Sequence, residues 1–434
     1  MKEFSHTSFA FRKIIFGGAI ATFATSSFLV NISPAVAESN LENSPKQVID
    51  EVWQIVNNEF VDETFNQTDW QVVREELLGQ TYTSQSQAYS AIRSALRQLG
   101  DAYTRFLPPK DFEQLTTQTS GELSGVGVTL EINRQTSMLT VVNLLDNSPA
   151  SKANLQPGDQ VLSIDDQPTS LMSVEQASEL IKGEVDTQVT LQISRKGRTF
   201  KVTLNRAKIE LPTVKYHLRQ EGSIEVGYIS LYEFNSHAAE QMKEAIKELT
   251  AQGVKGFVLD LRNNPGGLLL ASVDIARMWV ETGEIVHTVD RLGGDREFTA
   301  NRTAMTDLPL VVLVNGYSAS ASEILAGALK DNQRATIVGT TTYGKGTVQA
   351  VHSLSDGSGL AVTISQYFPP SGIDINRKGI TPDIPLELTT QQKLLLEAQP
   401  ELMGTQNDPQ YARAVSILGQ TVLNGNSPNF LGNR

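Results

Sequence analysis

The sequence predicts an α/β multidomain protein. Three observations carry that reading: helix-periodic apolar spacing up to about residue 118, short alternating runs punctuated by glycine and proline from 119 to 207, and strand–helix alternation from 208 to 388. At 434 residues the chain is long enough for two or three domains with cores of their own. A hydrophobic content of 40% with 19% charged residues fits a folded chain. The net charge of −12 argues against nucleic acid or anionic lipid as a main partner. Cysteine is absent, which removes disulfides, thiolate catalysis and thiolate metal sites without identifying a compartment.

The first residues carry the marks of export. Arg12 and Lys13 precede the apolar run 14–30, and "SPAVAE" then places Ala35 and Ala37 in an A-x-A cleavage pattern. The run is broken by glycine, serine and threonine and is short for a membrane span, so an uncleaved anchor is the weaker alternative. Residues 1–37 are therefore expected to be a signal peptide.

Residues 38–118 are expected to form a helical domain. Ser44, Pro45 and Gln47 supply a cap, a proline at the first helical position and a capping-box partner. Val48, Val52, Ile55 and Val56 then recur at helical spacing, and Tyr89, Ile92, Leu96 and Leu99 repeat the pattern until Gly100 stops it. Trp53 and Trp70 read as core, and no chemistry is visible here.

Residues 119–207 read as a small β domain built from "SGVGVTLEI", "MLTVVNLL", "DQVLSIDD" and "QVTLQISRKGRTFKVTL". Its one short helix, "SVEQASELIKG", puts Val174, Ala177, Leu180 and Ile181 on one face. From 208 to 388 the strands "IEVGYISLY", "GFVLDL", "LPLVVLV" and "ATIVG" alternate with helices, as in parallel βαβ units. The tail, 389–434, holds two amphipathic helices to which no function can be assigned.

"GTTTYGKGT", residues 339–347, nearly spells a phosphate-binding loop. Such a loop needs a hydroxyl directly after the lysine and a helix beginning there. Gly346 follows Lys345, and "TVQAVHSL" beyond it alternates like a strand. A nucleotide site is therefore disfavoured.

Upstream, a strand ends at Asn315 and a serine-rich turn leads into the helix "SEILAGALKD". Ser320 and Glu323 spell an S-x-x-E capping box, so the plain reading of Ser320 is a cap. The same strand-to-helix turn suits an exposed nucleophile, with the N–H of Ala321 and the helix dipole available to an oxyanion. A nucleophilic serine needs a base. His217, His237, His287 and His352 sit in no recognisable triad context, and His6 lies in the signal. A lysine can serve if desolvation or a nearby positive charge keeps it neutral. Lys345 lies between glycines after an apolar strand, and extended backbone from 345 to 349 would project Lys345, Thr347 and Gln349 on one face. Gln349 could then orient the amine. In "DLRNNPGG", Gly266 and Gly267 end a buried strand, where backbone can approach a ligand and supply a second oxyanion donor. The plain alternatives are a solvated lysine and an ordinary turn.

Together these stretches match a known pattern. "SASASEILAGALKDNQRATIVGTTTYGKGTVQ", "LDLRNNPGG" and "GELSGVGV…SPASKANLQPGDQVLSIDDQ" resemble the carboxyl-terminal processing (tail-specific) serine proteases over roughly residues 44–388. The resemblance implies a crotonase/ClpP-like α/β serine protease core at 208–388, preceded by N-terminal helices and a PDZ domain. It implies Ser320 as nucleophile, Lys345 as general base with Gln349 as its partner, and the N–H groups of Gly266 and Ala321 as oxyanion donors. The one departure is "TTTYGKG", where many relatives carry an acidic residue near the second position. No metal or cofactor is implied. The implied partners are protein or peptide C-termini, membrane-protein substrates among them, and a second copy joined through the N-terminal helices.

For the PDZ domain, Leu123, Gly125, Val126, Gly127 and Val128 would form the substrate-binding loop. A nest at Gly125 and Gly127 would accept a terminal carboxylate, the strand 128–130 would pair with the substrate end, and the helix 174–182 would close an apolar groove. An ordinary β domain is the alternative. The sequence is most similar to the photosynthetic branch, some of whose members trim a photosystem II reaction-centre precursor; periplasm and thylakoid lumen both stay open. Behind the protease reading stand a catalytically silent PDZ scaffold or chaperone, and a hydrolase using His352 or His237 as base.

Overall fold

The computed structural model describes residues 45–423. The expected signal peptide, the Ser44 cap and the last residues of the tail lie outside them. Among the described residues, no helix is long and apolar enough to cross a membrane.

One compact unit spans Ser120–Pro212. Its six-stranded antiparallel sheet runs from Val128–Ile132 through Leu139–Leu144, Gln160–Ile164 and Gln188–Arg195 to Arg198–Asn205, with Gln167–Pro168 beside the third strand. The helix Val174–Ile181 begins at a complete capping box between Ser173 and Gln176. Ala177 and Ile181 turn inward with Val126, Val141, Val161 and Leu191.

The second unit gathers the remaining described residues, up to Thr119 and from Thr213 onward. Its six-stranded sheet has the order Val214–Glu221, Ile224–Leu231, Gly256–Asp260, Leu310–Val314, Thr336–Gly339 and Ile384–Pro385. Only the first pair is antiparallel. Period-two alternation sends Phe257, Leu259, Val312, Val314 and Ile337 to one face, where the helices Ala238–Ala251, Leu269–Arg277 and Ala321–Asp331 cover them. Val258, Val311, Leu313 and Val338 face the other way, against Tyr411, Ala414 and Leu418 of the helix Pro409–Leu423. Both faces are covered, which is why the central strands read as unbroken apolar runs. The tail that carried no message in sequence is thus half of the sheet's cover.

The N-terminal helices Pro45–Glu59, Trp70–Gly79 and Gln85–Gln98 do not close a core alone. Val52, Trp70, Ile92 and Leu96 pack with Ala350, Leu360 and Val362 of a second, five-stranded sheet and with Leu354 of the turn that joins two of its strands. The stretch read as wholly helical also contains a strand, Arg105–Leu107, paired antiparallel with Gly359–Phe368. Gly100, at φ +63°, ends the third helix and turns the chain toward that edge. Arg105 of this strand, with Asp101 and Tyr103 of the turn before it, acts on Lys345.

Candidate active site

Two strand ends of the parallel sheet are stitched together where the chain turns into helix. The Asn315 Nδ2 donates to Asn263 Oδ1 and the Asn263 N–H to Asn315 Oδ1, each at 3.0 Å. Ser318 Oγ donates to the Leu261 carbonyl at 2.8 Å. The Ala319 N–H and Ser322 Oγ both reach the Asn264 carbonyl, at 3.1 and 3.0 Å. Within this frame Ser320 adopts φ 54° and ψ −115° just before the helix Ala321–Asp331. A serine in that region costs on the order of 1–3 kcal/mol and persists only because its surroundings impose it.

The capping box is only half formed. The Ser320 N–H donates to Glu323 Oε2 at 2.8 Å, but the Glu323 N–H donates to the Ser320 carbonyl and Ser320 Oγ has no hydrogen-bond partner among the described residues. The strained backbone turns Oγ away from the cap position. Among the described residues no histidine bonds it: His352 Nε2 meets Glu59 Oε2 at 2.8 Å, and the His237 N–H donates to Asn235 Oδ1.

Gly266 lies directly against Ser320. A Cβ there would stand 2.8 Å from Ser320 Cβ and 2.7 Å from the Ala319 carbonyl, at a φ of +104°, so only glycine fits. The expected oxyanion donors differ in state. The Ala321 N–H has no acceptor among the described residues, as befits the first position of a helix. The Gly266 N–H donates to Asn264 Oδ1 at 2.9 Å. The turn behind it is anchored by buried Arg262, whose guanidinium meets Asp260 and Asp408, each at 2.6 Å.

Glu323 ties this side to the lysine loop. Its fully buried carboxylate accepts from Thr342 Oγ1 at 2.6 Å, the Gly344 N–H at 2.7 Å and the Lys345 N–H at 2.9 Å, besides Ser320. Burial raises its pKa against the pull of these bonds. In sequence it read only as a cap partner.

Lys345 is completely buried, and its carbonyl accepts from the Tyr367 hydroxyl. Gly344 before it (φ +87°) leaves no room for a Cβ, which would meet the Lys378 nitrogen at 2.8 Å. The strand Thr347–Ser353 follows, so no helix terminus waits for a phosphate. The amine sits 4.6 Å from the centroid of the Tyr103 ring. Burial, and then the positive charge of Arg105, lower its pKa to about 7, opposed by Asp101 and Glu323. Asp101, Tyr103 and Arg105 come from "GDAYTRF", the stretch in which the sequence showed no chemistry. The only local signal was a polar, aromatic cluster directly after the helix-stopping Gly100.

The expected Lys345–Gln349 hydrogen bond is not formed. Gln349 Nε2 donates to Thr347 Oγ1 at 2.9 Å and Thr363 Oγ1 at 3.2 Å, which leaves buried Oε1 without a partner. Nor does Lys345 bond Ser320 Oγ. Loose contacts of this kind are usual in catalytic sites before substrate arrives.

In the Ser120–Pro212 unit, the loop from Leu123 to Val128 has its own vacancy. The N–H groups of Val126 and Gly127 have no acceptor among the described residues, while the Val126 carbonyl accepts from the Ala150 N–H at 2.9 Å. Gly127 takes φ +80°, and Gly125 pairs with Ala207.

Residues 225–386 match peptidase family S41, and residues 140–195 match the PDZ domain. The chain is 43% identical to a carboxyl-terminal-processing protease of Synechocystis sp., across 84% of this chain and 85% of that protein. It is 39% identical to a chloroplastic carboxyl-terminal-processing peptidase of Arabidopsis thaliana, across 77% and 68%. A solved photosystem II D1 C-terminal processing protease is 36% identical, with a TM-score of 0.53 over 85% of this chain and all of that one.

Proposed function

Since this chain belongs to the carboxyl-terminal-processing serine proteases of peptidase family S41, we propose that it cleaves with a Ser320–Lys345 dyad. The observation that carries the proposal is the pairing of a strained serine, its Oγ unbonded, with a fully buried lysine whose pKa is brought to about 7.

In the mechanism, neutral Lys345 takes the Ser320 proton as Oγ attacks the substrate carbonyl carbon. The resulting oxyanion accepts from the Ala321 N–H, and from the Gly266 N–H once that group exchanges Asn264 Oδ1 for it. Each donor contributes on the order of 3 kcal/mol to the transition state. The lysine ammonium returns its proton to the leaving amine, and water then releases the acyl-enzyme. Gln349 Oε1 is the acceptor that steadies the ammonium.

The PDZ domain captures the substrate's free C-terminus, with the Val126 and Gly127 N–H groups taking the carboxylate inside the loop of Leu123, Gly125 and Val128. Substrates are the C-terminal tails of proteins, the photosystem II D1 protein named for the solved relative being one of that class. Residues 1–37 direct export, to the periplasm or the thylakoid lumen.

Mass spectrometry of an extended peptide tests this reading. Wild type should cleave it, and Ser320→Ala and Lys345→Ala should not. Persistent cleavage by both variants rules the dyad out. Amidating the peptide's C-terminus should weaken capture, and indifference to amidation rules out the carboxylate site.

A further inference from the structure

The "GDAYTRF" turn does more than wall off the amine. Asp101 Oδ2 accepts from Thr363 Oγ1 and from Thr104 Oγ1, each at 2.6 Å, and from the Thr104 N–H at 3.0 Å. An ionised carboxylate only accepts, so the single proton of the Thr363 hydroxyl is committed to Asp101. Thr363 Oγ1 must then be the acceptor in its 3.2 Å contact with Gln349. Only the amide nitrogen of Gln349 can donate there, and its other proton goes to Thr347 Oγ1. The amide has no freedom left. Its Oε1 is held as the unpaired, buried acceptor.

We propose that Asp101 is a positioning residue that fixes the Gln349 amide through Thr363, so that Oε1, never the NH₂, is offered to Lys345. The proposal rests on the Ser320–Lys345 reading. It gives the orphaned oxygen a use. When Lys345 takes the Ser320 proton, an ammonium appears in a buried pocket and needs an acceptor already in place. If the amide flipped, it would present donors to that charge. The charged and titratable groups facing the amine are Asp101 and Arg105 from this turn, Glu323 from the helix after Ser320, and the Tyr103 ring. The two carboxylates raise the amine's basicity through a full charge, whereas a neutral acceptor steadies the ammonium with a smaller rise.

Thr363→Val tests the relay with every charge retained. It should lower kcat on the order of tenfold, the effect of one lost hydrogen bond to a charged group, with KM unchanged. The acid limb of kcat/KM should move to lower pH, because the ammonium loses an acceptor; a merely structural defect would not move it that way. Thr363→Ser, which keeps the hydroxyl, should restore most of kcat. In a Gln349→Ala background Thr363→Val should cost nothing further, since both act through one group. If Thr363→Val does not fold, Thr363→Ala, which also removes the hydroxyl and keeps every charge, carries the same test, its kcat loss again vanishing in the Gln349→Ala background. Wild-type kcat and pH profile in Thr363→Val, or losses that add fully to Gln349→Ala, would overturn the relay. Activity surviving in Lys345→Ala would instead remove the dyad beneath it, so the two failures are told apart.

Discussion

Ser320 and Lys345 are held in opposite ways. Around Ser320 the grip is backbone and short side chains from two adjacent strand ends, with Asn263, Asn264, Asn315 and Ser318 exchanging hydrogen bonds across the seam. Around Lys345 it is burial plus groups recruited from far along the chain: Tyr103, Arg105 and the Asp101–Thr363 contact, whose partners are 262 residues apart. The first arrangement fixes where an atom sits. The second fixes what protonation state it has. A rigid seam suits a nucleophile and oxyanion donors, which need geometry. A low-dielectric pocket in which burial and one cation outweigh two carboxylates suits a base, which needs to be neutral near pH 7.

The sharpest way to break the Ser320 side alone is Gly266→Ala. Its Cβ would collide with Ser320 Cβ in a backbone conformation that alanine resists. Peptide cleavage should fall about hundredfold or more, because misplacement of the nucleophile by about 1 Å costs that much. Glu323→Gln comes next, since this carboxylate joins both sides. One amide cannot accept all four bonds, so the turnover of Gly344–Lys345 and Ser320 should loosen together, with kcat down on the order of tenfold and stability by about 2 kcal/mol in denaturant melts. Asp408→Ala removes one partner of buried Arg262 while leaving Asp260. It should destabilise the protein by about 3 kcal/mol in the same melts, the usual cost of a broken buried pair. Arg105→Gln touches only the Lys345 side, and subtly. The cation holds the amine's pKa down, so its loss raises that pKa and the acid limb of kcat/KM should move to higher pH, with the plateau little changed. A limb that moves the other way would separate Arg105 from the base.

The same contrast explains what could be read from the sequence. Ser320, the glycine turn and "GKGTVQ" each lie in a contiguous stretch whose strand, turn and helix are dictated locally, so the residue types announced their geometry. The parallel sheet was legible because strands covered on both faces are continuously apolar. Asp101, Tyr103 and Arg105 were not legible. Their use depends on one short strand docking beside Gly359–Phe368, a pairing that no local periodicity encodes. Asp408 was hidden for the same reason, because the tail's amphipathic helix does not say which apolar surface it will cover. Glu323 was seen, but only in its local half: the cap contact was in the spacing, the bonds to Gly344 and Lys345 were not. The Gln349 amide faced Thr347 and Thr363 and made no bond to Lys345, since strand alternation fixes the face of a side chain and not the partner its polar end selects.

The central claim is that Lys345 is uncharged when it works. Titration of ¹⁵N-labelled lysine side chains by NMR reads this directly, with Lys345→Met assigning the resonance. One amine should titrate near pH 7 and disappear in that variant. If every lysine in the folded protein titrates near 10, the ordinary range for that group, Lys345 is charged at neutral pH and cannot be the base.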